Sequence, residues 1–449
     1  TSGTIETAST FFVPVGVDNP SVLGNAGQST THTTTLGWRI SPTLAITPRL
    51  LLTPGFRIDG GSTSGRRATF SGFPKMGASW LASDESFFPF KKTFNTLRLR
   101  VAYGHAGVQP GLTDRLRLYA PGTQIHITGD SVLNGLILTS LGNTQLRPER
   151  ATDFEGGFDA DIFDSRITLT YSGYSKLVKD EIVSIPVAPS VNGGGTRFVN
   201  IGEVSDRGAE VGLGFEPFRS PTVTWRVNVT FSTNANKLVR LAAGQLPIDL
   251  GDGRRIVPGY PLFGQWARPV VGWVDRNSDS IIDSTEVLLG DSATFLGQPQ
   301  PKYNASLATT VGLFHGRVTL NAGFTYQDGA TQFNQGGAQA LLQAANDPHA
   351  SLATQAAVAA ANLTPYGLIQ TVNTLRFNSF AVSVAMPSRI AEAFRARAMS
   401  LALLGSNLAL RTNYHGLDPN VNAFVGDGNL DTGVLPQPRT FSLSIRLSN

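Results

Sequence analysis

One feature constrains this chain more than any other: period-two alternation of apolar and polar residues, repeated along its length. In Thr222–Ser232, Val223, Trp225, Val227, Val229 and Phe231 alternate with Thr224, Arg226, Asn228, Thr230 and Ser232. Successive side chains of a strand point to opposite faces, so each such segment is an extended strand with one apolar and one polar face. The same pattern runs through Val318–Tyr326 and through Phe441–Leu447, with Ile167–Tyr171 and Leu97–Tyr103 close to it. About fourteen strands are predicted in all, and no linker separates the 449 residues into domains.

Alternation alone suits a soluble sandwich as well as a barrel. Three observations favour an antiparallel transmembrane β-barrel. Many segments approach the roughly 9–11 residues that a tilted spanning strand needs. Their polar faces carry Thr, Asn, Ser, Gln and Arg, side chains suited to a watery lumen. Aromatics cluster where strand ends are predicted (Trp80, Phe87, Phe88, Phe90, Trp266, Trp273 and Tyr303), as interfacial girdles require. Charged residues make up 15% of the chain, against about 25% in soluble proteins, and a wall facing lipid needs fewer.

The connections alternate in length. Asp161–Arg166 reads as a tight turn, whereas Val108–Leu146 and Thr331–Asn362 are long, and Ala338–Ala361 has the composition of one or two short helices. Short turns on one side and long extracellular loops on the other is the outer-membrane arrangement. No apolar run reaches the ~18 residues of a spanning helix. With no cysteine in the chain, disulfide scaffolds and thiolate metal sites are excluded. The net charge of +4 is not gathered into a basic stripe, so nucleic acid is not an expected partner.

Asp275-Arg276-Asn277-Ser278-Asp279-Ser280-Ile281-Ile282-Asp283-Ser284-Thr285-Glu286 has the spacing of a Ca2+ loop. Asp275, Asn277, Asp279, Asp283 and Glu286 offer side-chain oxygens, and Ile281 offers its carbonyl. Ser280 stands where glycine usually makes the sharp turn. The competing reading is an acidic, solvated loop. Gly426–Asp431 is a shorter acidic turn, too short for a full site. Catalytic signatures are missing: there is no G-x-S-x-G, and the six histidines form no H-E-x-x-H. Asp84 and Glu85 are adjacent and point to opposite faces, a poor acid–base pair. An enzyme is not expected. Arg98, Arg100, Arg226 and Arg446 are expected to point into the lumen, there to contact a polar solute or, the favoured reading, to pair with acidic residues across the barrel.

Leu146-Arg147-Pro148-Glu149, followed by Phe154-Glu155 and Gly157, resembles the L-x-P-E-x-x-x-x-(F/Y)-E-x-G strand start of TonB-dependent outer-membrane transporters, in particular the SusC/RagA branch. Further segments agree in order. They are Phe73-Pro74 with Ser79-Trp80, Asn200-Ile201-Gly202-Glu203 with Gly208 and Glu210, and Leu296-Gly297-Gln298-Pro299 with Pro301 and Tyr303. Gly405-Ser406-Asn407-Leu408 and Thr412-Asn413-Tyr414-His415-Gly416-Leu417-Asp418-Pro419 follow, then Pro436–Phe441. Asp206 departs from the pattern, which has Asn there, and the final Arg446–Asn449 lacks the family's usual terminal aromatic.

The resemblance implies that residues 1–449 are the C-terminal part of a large barrel of about 22 strands, without the family's plug domain. It implies the outer membrane of a diderm bacterium, TonB-dependent uptake of a bulky oligosaccharide or peptide, and partners in a SusD-like surface lipoprotein, the TonB complex and outer-membrane lipid. Acidic loops like residues 275–286 occur at this place in the SusC-like branch. The alternatives are a passive pore or structural surface protein lacking the plug, and a soluble adhesin.

Overall fold

A computed structural model describes residues 2–11, 28–61, 70–111, 113–125, 132–188, 190, 195–251, 253–344, 347, 349–421, 424–425, 428–431 and 435–448. Its main sheet holds 17 strands. Three are short: Leu44–Thr47, Phe424–Val425 and Gly428–Asp431. The other fourteen follow one another in chain order: β1 (Ser2–Phe11), β2 (Gln28–Ile40), β3 (Leu50–Gly61), β4 (Ser71–Leu81), β5 (Phe94–Ala106), β6 (Arg150–Ile162), β7 (Ile167–Lys179), β8 (Gly202–Arg219), β9 (Val223–Leu241), β10 (Tyr303–Leu313), β11 (Val318–Asn334), β12 (Ile369–Ala385), β13 (Ala398–Thr412) and β14 (Thr440–Ser448). Each pairs antiparallel with the next. Among the described residues no pairing joins β1 to β14.

Register is what turns the alternation into a wall. Leu99, Phe158, Tyr171, Val211 and Phe231 lie side by side across β5–β9, and Val229, Leu307, Phe324 and Phe377 continue the same face through β9–β12. A slip of one residue would turn a whole strand's apolar set inward. The face is uncovered. Leu403 is 47% exposed, and Phe441, Leu443 and Ile445 exceed half. In water so continuous an apolar surface would be a liability; in a bilayer it meets acyl chains.

One end of the sheet is closed by short turns, at residues 163–166, 220–222 and 314–317. Phe163, Asp164 and Ser165 take three successive positive φ angles (54°, 56°, 58°) to make the first. The other end carries the long connections, which contain the small sheets and the helices α1 (Gln335–Ala344) and α2 (Leu352–Ala361). The helices fall where the composition placed them. The segment 108–146 contains a hairpin of Leu118–Ile125 with Val132–Ser140, and β11 runs on to Asn334, three residues past the expected loop start at Thr331.

Dense packing sits at the loop end of the wall, not within it. Ile201, Val204, Leu238 and Ile256 are wholly buried, packed with Val178, Val183 and Leu262. Each such side chain contributes about 1.5–3 kcal/mol by leaving water, which anchors the loops to the strands. Trp266 and Trp273, expected in an interfacial girdle, belong to this region instead. Trp266 packs against Tyr260 and Phe295 at 4.7 and 5.4 Å, and Trp273 ends a short loop strand. Both are aromatic residues on short extended pieces, the same local signal as a strand end. The other predicted aromatics lie at strand ends: Trp80 in β4 beside Phe87 (6.3 Å) and Tyr303 at the start of β10 stacked on Phe231 (6.2 Å).

Candidate functional site: the lumenal wall and its mouth

The face opposite the apolar one is polar from strand to strand. Arg100 on β5 donates from Nη2 to Asp159 Oδ1 on β6 at 3.0 Å, with its Nε 2.9 Å from Oδ2 and Glu155 at 3.9 Å. Thr230 and Ser306 share a hydrogen bond of 2.6 Å, Thr310 donates to Asn321 at 2.8 Å, and Gln327 donates to Asn304 at 3.2 Å. A concavity of about 550 Å3 runs over Arg100, Asp159, Ser172, Glu210, Thr230 and Gln327. By register Arg98, Arg226 and Arg446 share this inward face. Arg226 donates to Glu216 at 2.9 Å, and Arg219 holds the other Glu216 oxygen. The expected pairing across the wall is therefore present for Arg100 and Arg226. Asp84 accepts from Ser83 Oγ, whereas Glu85 accepts from Arg49 and Trp80.

At the loop end, the motifs read from the sequence clip to one another. Arg147 pairs with Asp180 at 2.7 Å, and Glu149 accepts from the Ile182 N–H at 2.8 Å. Asn200 accepts from Arg147 N–H and donates to the Arg147 and Asp180 carbonyls. Glu203 receives Arg240 at 2.6 Å, with Lys179 at 3.8 Å. Gly208 is required where it stands: a Cβ there would collide with the Thr233 carbonyl and with the Tyr174 ring laid across it.

A second set folds a loop back into the mouth. Asp418, on the connection after β13, binds Arg376 of β12 through both carboxylate oxygens at 2.6 and 2.7 Å. Tyr414 donates to Asp431 at 2.6 Å. Burial, then the bond to Asp431, holds the Tyr414 hydroxyl protonated well above the ordinary phenol range. Asn413 donates to the Thr371 carbonyl and accepts from Asn373 N–H. No local pattern announces the Arg376–Asp418 pair, whose members are 42 residues apart.

Residues 275–286 form a loop whose acidic groups turn onto its own backbone. Asp275 Oδ2 accepts from Ser280 N–H, Asp279 Oδ1 from Ile281 N–H, and Asp283 Oδ1 from Thr285 N–H and Oγ. Those Thr285 bonds, the hydroxyl first, hold the Asp283 carboxyl below its ordinary range. Buried Glu286 accepts from Arg276 and Asp283 N–H. Asn277 donates to Asp279, and Ile281 is exposed. Among the described residues no three His, Asp or Glu side chains gather into a metal cluster. The chain path nonetheless suits a hard cation. Ser280, at the sixth position, has the left-handed φ of 63° that glycine normally supplies, and Asp275 Oδ1 is buried without a partner. The loop docks on α2 through Gln355, which accepts from Ile282 N–H at 2.8 Å. Gly426 and Asp427 of the shorter acidic turn lie outside the described residues; Asp431 is the partner of Tyr414.

Residues 8–378 match the family model described as TonB dependent receptor-like, beta-barrel. TonB-dependent receptor P3 of Formosa agariphila is 29% identical over 198 residues, 44% of this chain and 20% of that protein. TonB-dependent receptor SusC of Bacteroides thetaiotaomicron is 24% identical over 262 residues, 53% of this chain and 26% of that protein. Among solved structures, that of the RagAB peptide transporter superposes with a TM-score of 0.76 at 15% identity, covering 99% of this chain and 55% of that one. The matched stretches cover about a fifth to a quarter of these curated relatives, and an alignment over 89% of this chain covers 44% of a third, TonB-dependent receptor P26 of Formosa agariphila.

Proposed function

The chain belongs to the TonB-dependent receptor β-barrel family, an outer-membrane family, and from that premise we propose that it forms wall of a SusC-like transporter for a bulky nutrient. In this reading residues 1–449 are the C-terminal part of the barrel, and a plug is contributed by residues outside them. A SusD-like surface lipoprotein covers the loop end, and TonB energises transport from the periplasmic side. The observation that carries the reading is the division of one sheet into an uncovered apolar face and a polar face lined by Arg100, Asp159, Glu210 and Thr230. A lipid-facing wall around a wet lumen needs both.

The test is growth and uptake by the source bacterium on single oligosaccharide and peptide sources, with the gene deleted and, separately, with TonB removed. Loss of the same nutrient in both strains is expected. Uptake that persists without TonB would instead mark a passive pore.

The same reading gives the 275–286 loop to Ca2+, supported by its oxygen spacing, the left-handed Ser280 and the orphaned Asp275 oxygen. Asp275, Asn277, Asp279, Asp283 and Glu286 would hold the ion with the Ile281 carbonyl, and its role is to brace the loop against α2. Calcium titration of the intact protein, followed by calorimetry, is expected to show one site that Asp279→Asn weakens at least tenfold. Absence of uptake at millimolar Ca2+ would remove this assignment.

A further inference from the structure

The outward apolar face stops at the short-turn end along a line set by register. Leu313, Val318 and Val384 lie side by side there, the last outward residues of β10 and β12 and the first of β11. Beyond them the chain turns at residues 314–317 and runs through the connection 386–397, which contains a short helix, α3 (Ser388–Ala393). The two segments are neighbours, since Ala385 N–H donates to the Arg317 carbonyl at 2.7 Å. On β8 and β9, at the same end of the outward face, Phe218 stacks on Trp225 at 5.9 Å, as aromatics at a membrane interface do.

These two segments carry an unbalanced charge. Arg317, Arg389, Arg395 and Arg397 are exposed, and Glu392 is the one acid in either segment. None of the four guanidinium groups has an ion pair or a side-chain hydrogen bond among the described residues. Elsewhere on this rim Arg49 is paired with Glu85, and Arg219 with Glu216. Apolar side chains accompany the free charges: Phe314 is 65% exposed, Phe394 59% and Ile390 41%. The backbone beneath them is nonetheless fixed. Ala391 and Ala396 are buried, Ala396 N–H donates to the Ala391 carbonyl at 3.0 Å, and Arg397 N–H donates to the Ser448 carbonyl at 2.8 Å. Water does not favour the apolar members of this set, and hydrocarbon does not favour the arginines. Anionic headgroups lying over acyl chains accommodate both.

We propose that the turn 314–317 and the connection 386–397 bind anionic phospholipid of the periplasmic leaflet, which the short turns face. The arginines hold phosphate oxygens, and Phe314, Ile390 and Phe394 enter the adjoining acyl region. Arginine suits the task because its planar fork donates two parallel hydrogen bonds to one phosphate. A zwitterionic headgroup brings the same phosphate with an ammonium that the cluster repels, so the surface selects by net charge. The inference rests on the wall standing in the outer membrane, and not on the nutrient or on TonB.

The test uses the intact protein reconstituted into phosphatidylethanolamine bilayers that carry a trace of photoactivatable phosphatidylglycerol or, in parallel, photoactivatable phosphatidylethanolamine. Labelled peptides are located by mass spectrometry. Phosphatidylglycerol is expected to label residues 314–317 and 386–397 at least fivefold more than phosphatidylethanolamine does, because one basic side chain near an anionic surface contributes a factor of about five. The preference disappears when Arg389, Arg395 and Arg397 are all changed to Gln, is kept when all three are changed to Lys, and is unaffected by Arg255→Gln at the loop end. Every altered rim side chain is exposed, so each variant keeps the heat-modifiable gel migration of a closed barrel. Equal labelling by the two lipids, or a preference that survives the glutamine variant, would overturn the proposal. So would equal loss in the lysine variant, since charge would then not be what selects the lipid.

Discussion

Arg376 and Asp418 join the inner face of the wall to the loop beyond β13, their side chains 13% and 5% exposed and one guanidinium nitrogen 2.6 Å from a carboxylate oxygen. Two charges so far out of water are held by each other, and removing one strands the other. Arg376→Met or Asp418→Leu alone is expected to destabilise the loop by about 3–5 kcal/mol, while the double variant recovers most of the loss. Limited proteolysis of residues 413–421 in the three variants measures this. Equal losses in single and double variants would mean that the pair is not the latch.

Tyr414 makes the second attachment, and its pH dependence has a definite sign. A hydroxyl whose ionisation is pushed upward by burial keeps its bond to Asp431 at every pH below the free phenol's value, and loses it only as pH rises past the folded-state value. The loop is therefore expected to hold from neutral pH to at least about pH 10. Tyr414→Phe costs about 1.5–3 kcal/mol, the usual worth of a hydrogen bond to a charged group. At pH ~11 the native protein and Tyr414→Phe should show equal phenolate absorbance, differing by one tyrosine only after denaturation. A difference in the native state would show that Tyr414 titrates freely.

Ser280 sits in the left-handed region at φ 63°, with Ser278 at 59° two residues before it. A residue with a Cβ pays about 1–2 kcal/mol for that conformation, and glycine does not. Ser280→Gly is expected to raise the loop's resistance to protease and tighten any cation it holds, whereas Ser280→Val weakens both. The comparison is run with and without chelator, so that loop strain and cation affinity are separated.

The wall was legible in the sequence because lipid and lumen demand opposite side chains of neighbouring residues; Thr222–Ser232 shows both demands in one strand. The motifs around Arg147, Asn200 and Asn413 were legible as a resemblance, but their role was not. Arg147 meets Asp180, and Asn413 meets Thr371, only after folding brings distant connections together. Arg376–Asp418 and the Gln355 bond to the acidic loop were invisible for the same reason. Gln332 fell in a stretch read as loop, although the spacing of Ala330, Gln332 and Asn334 continues the inward face of β11. Trp266 and Trp273 misled because an aromatic on a short extended piece looks alike in a girdle and in a loop core.

The division of faces makes the sharpest prediction, because adjacent residues should respond oppositely to one substitution. Val229 and Thr230 are neighbours on β9. Val229 pairs with Leu213 and Leu307 on the outward face, and Thr230 bonds Ser306 on the inward one. Outward aromatic stacks bracket Val229, Phe218 with Trp225 (5.9 Å) toward the short turns and Phe231 with Tyr303 (6.2 Å) toward the loops. It therefore lies within the hydrocarbon. Val229→Arg is expected to cost about 2–4 kcal/mol of stability in a bilayer. Thr230→Arg loses one exposed hydrogen bond and leaves the charge in water, a change of about 1 kcal/mol or less. Equilibrium unfolding of the intact protein from lipid vesicles reads both values. If the two variants unfold alike, the outward face does not meet lipid, and the sheet is not a membrane wall.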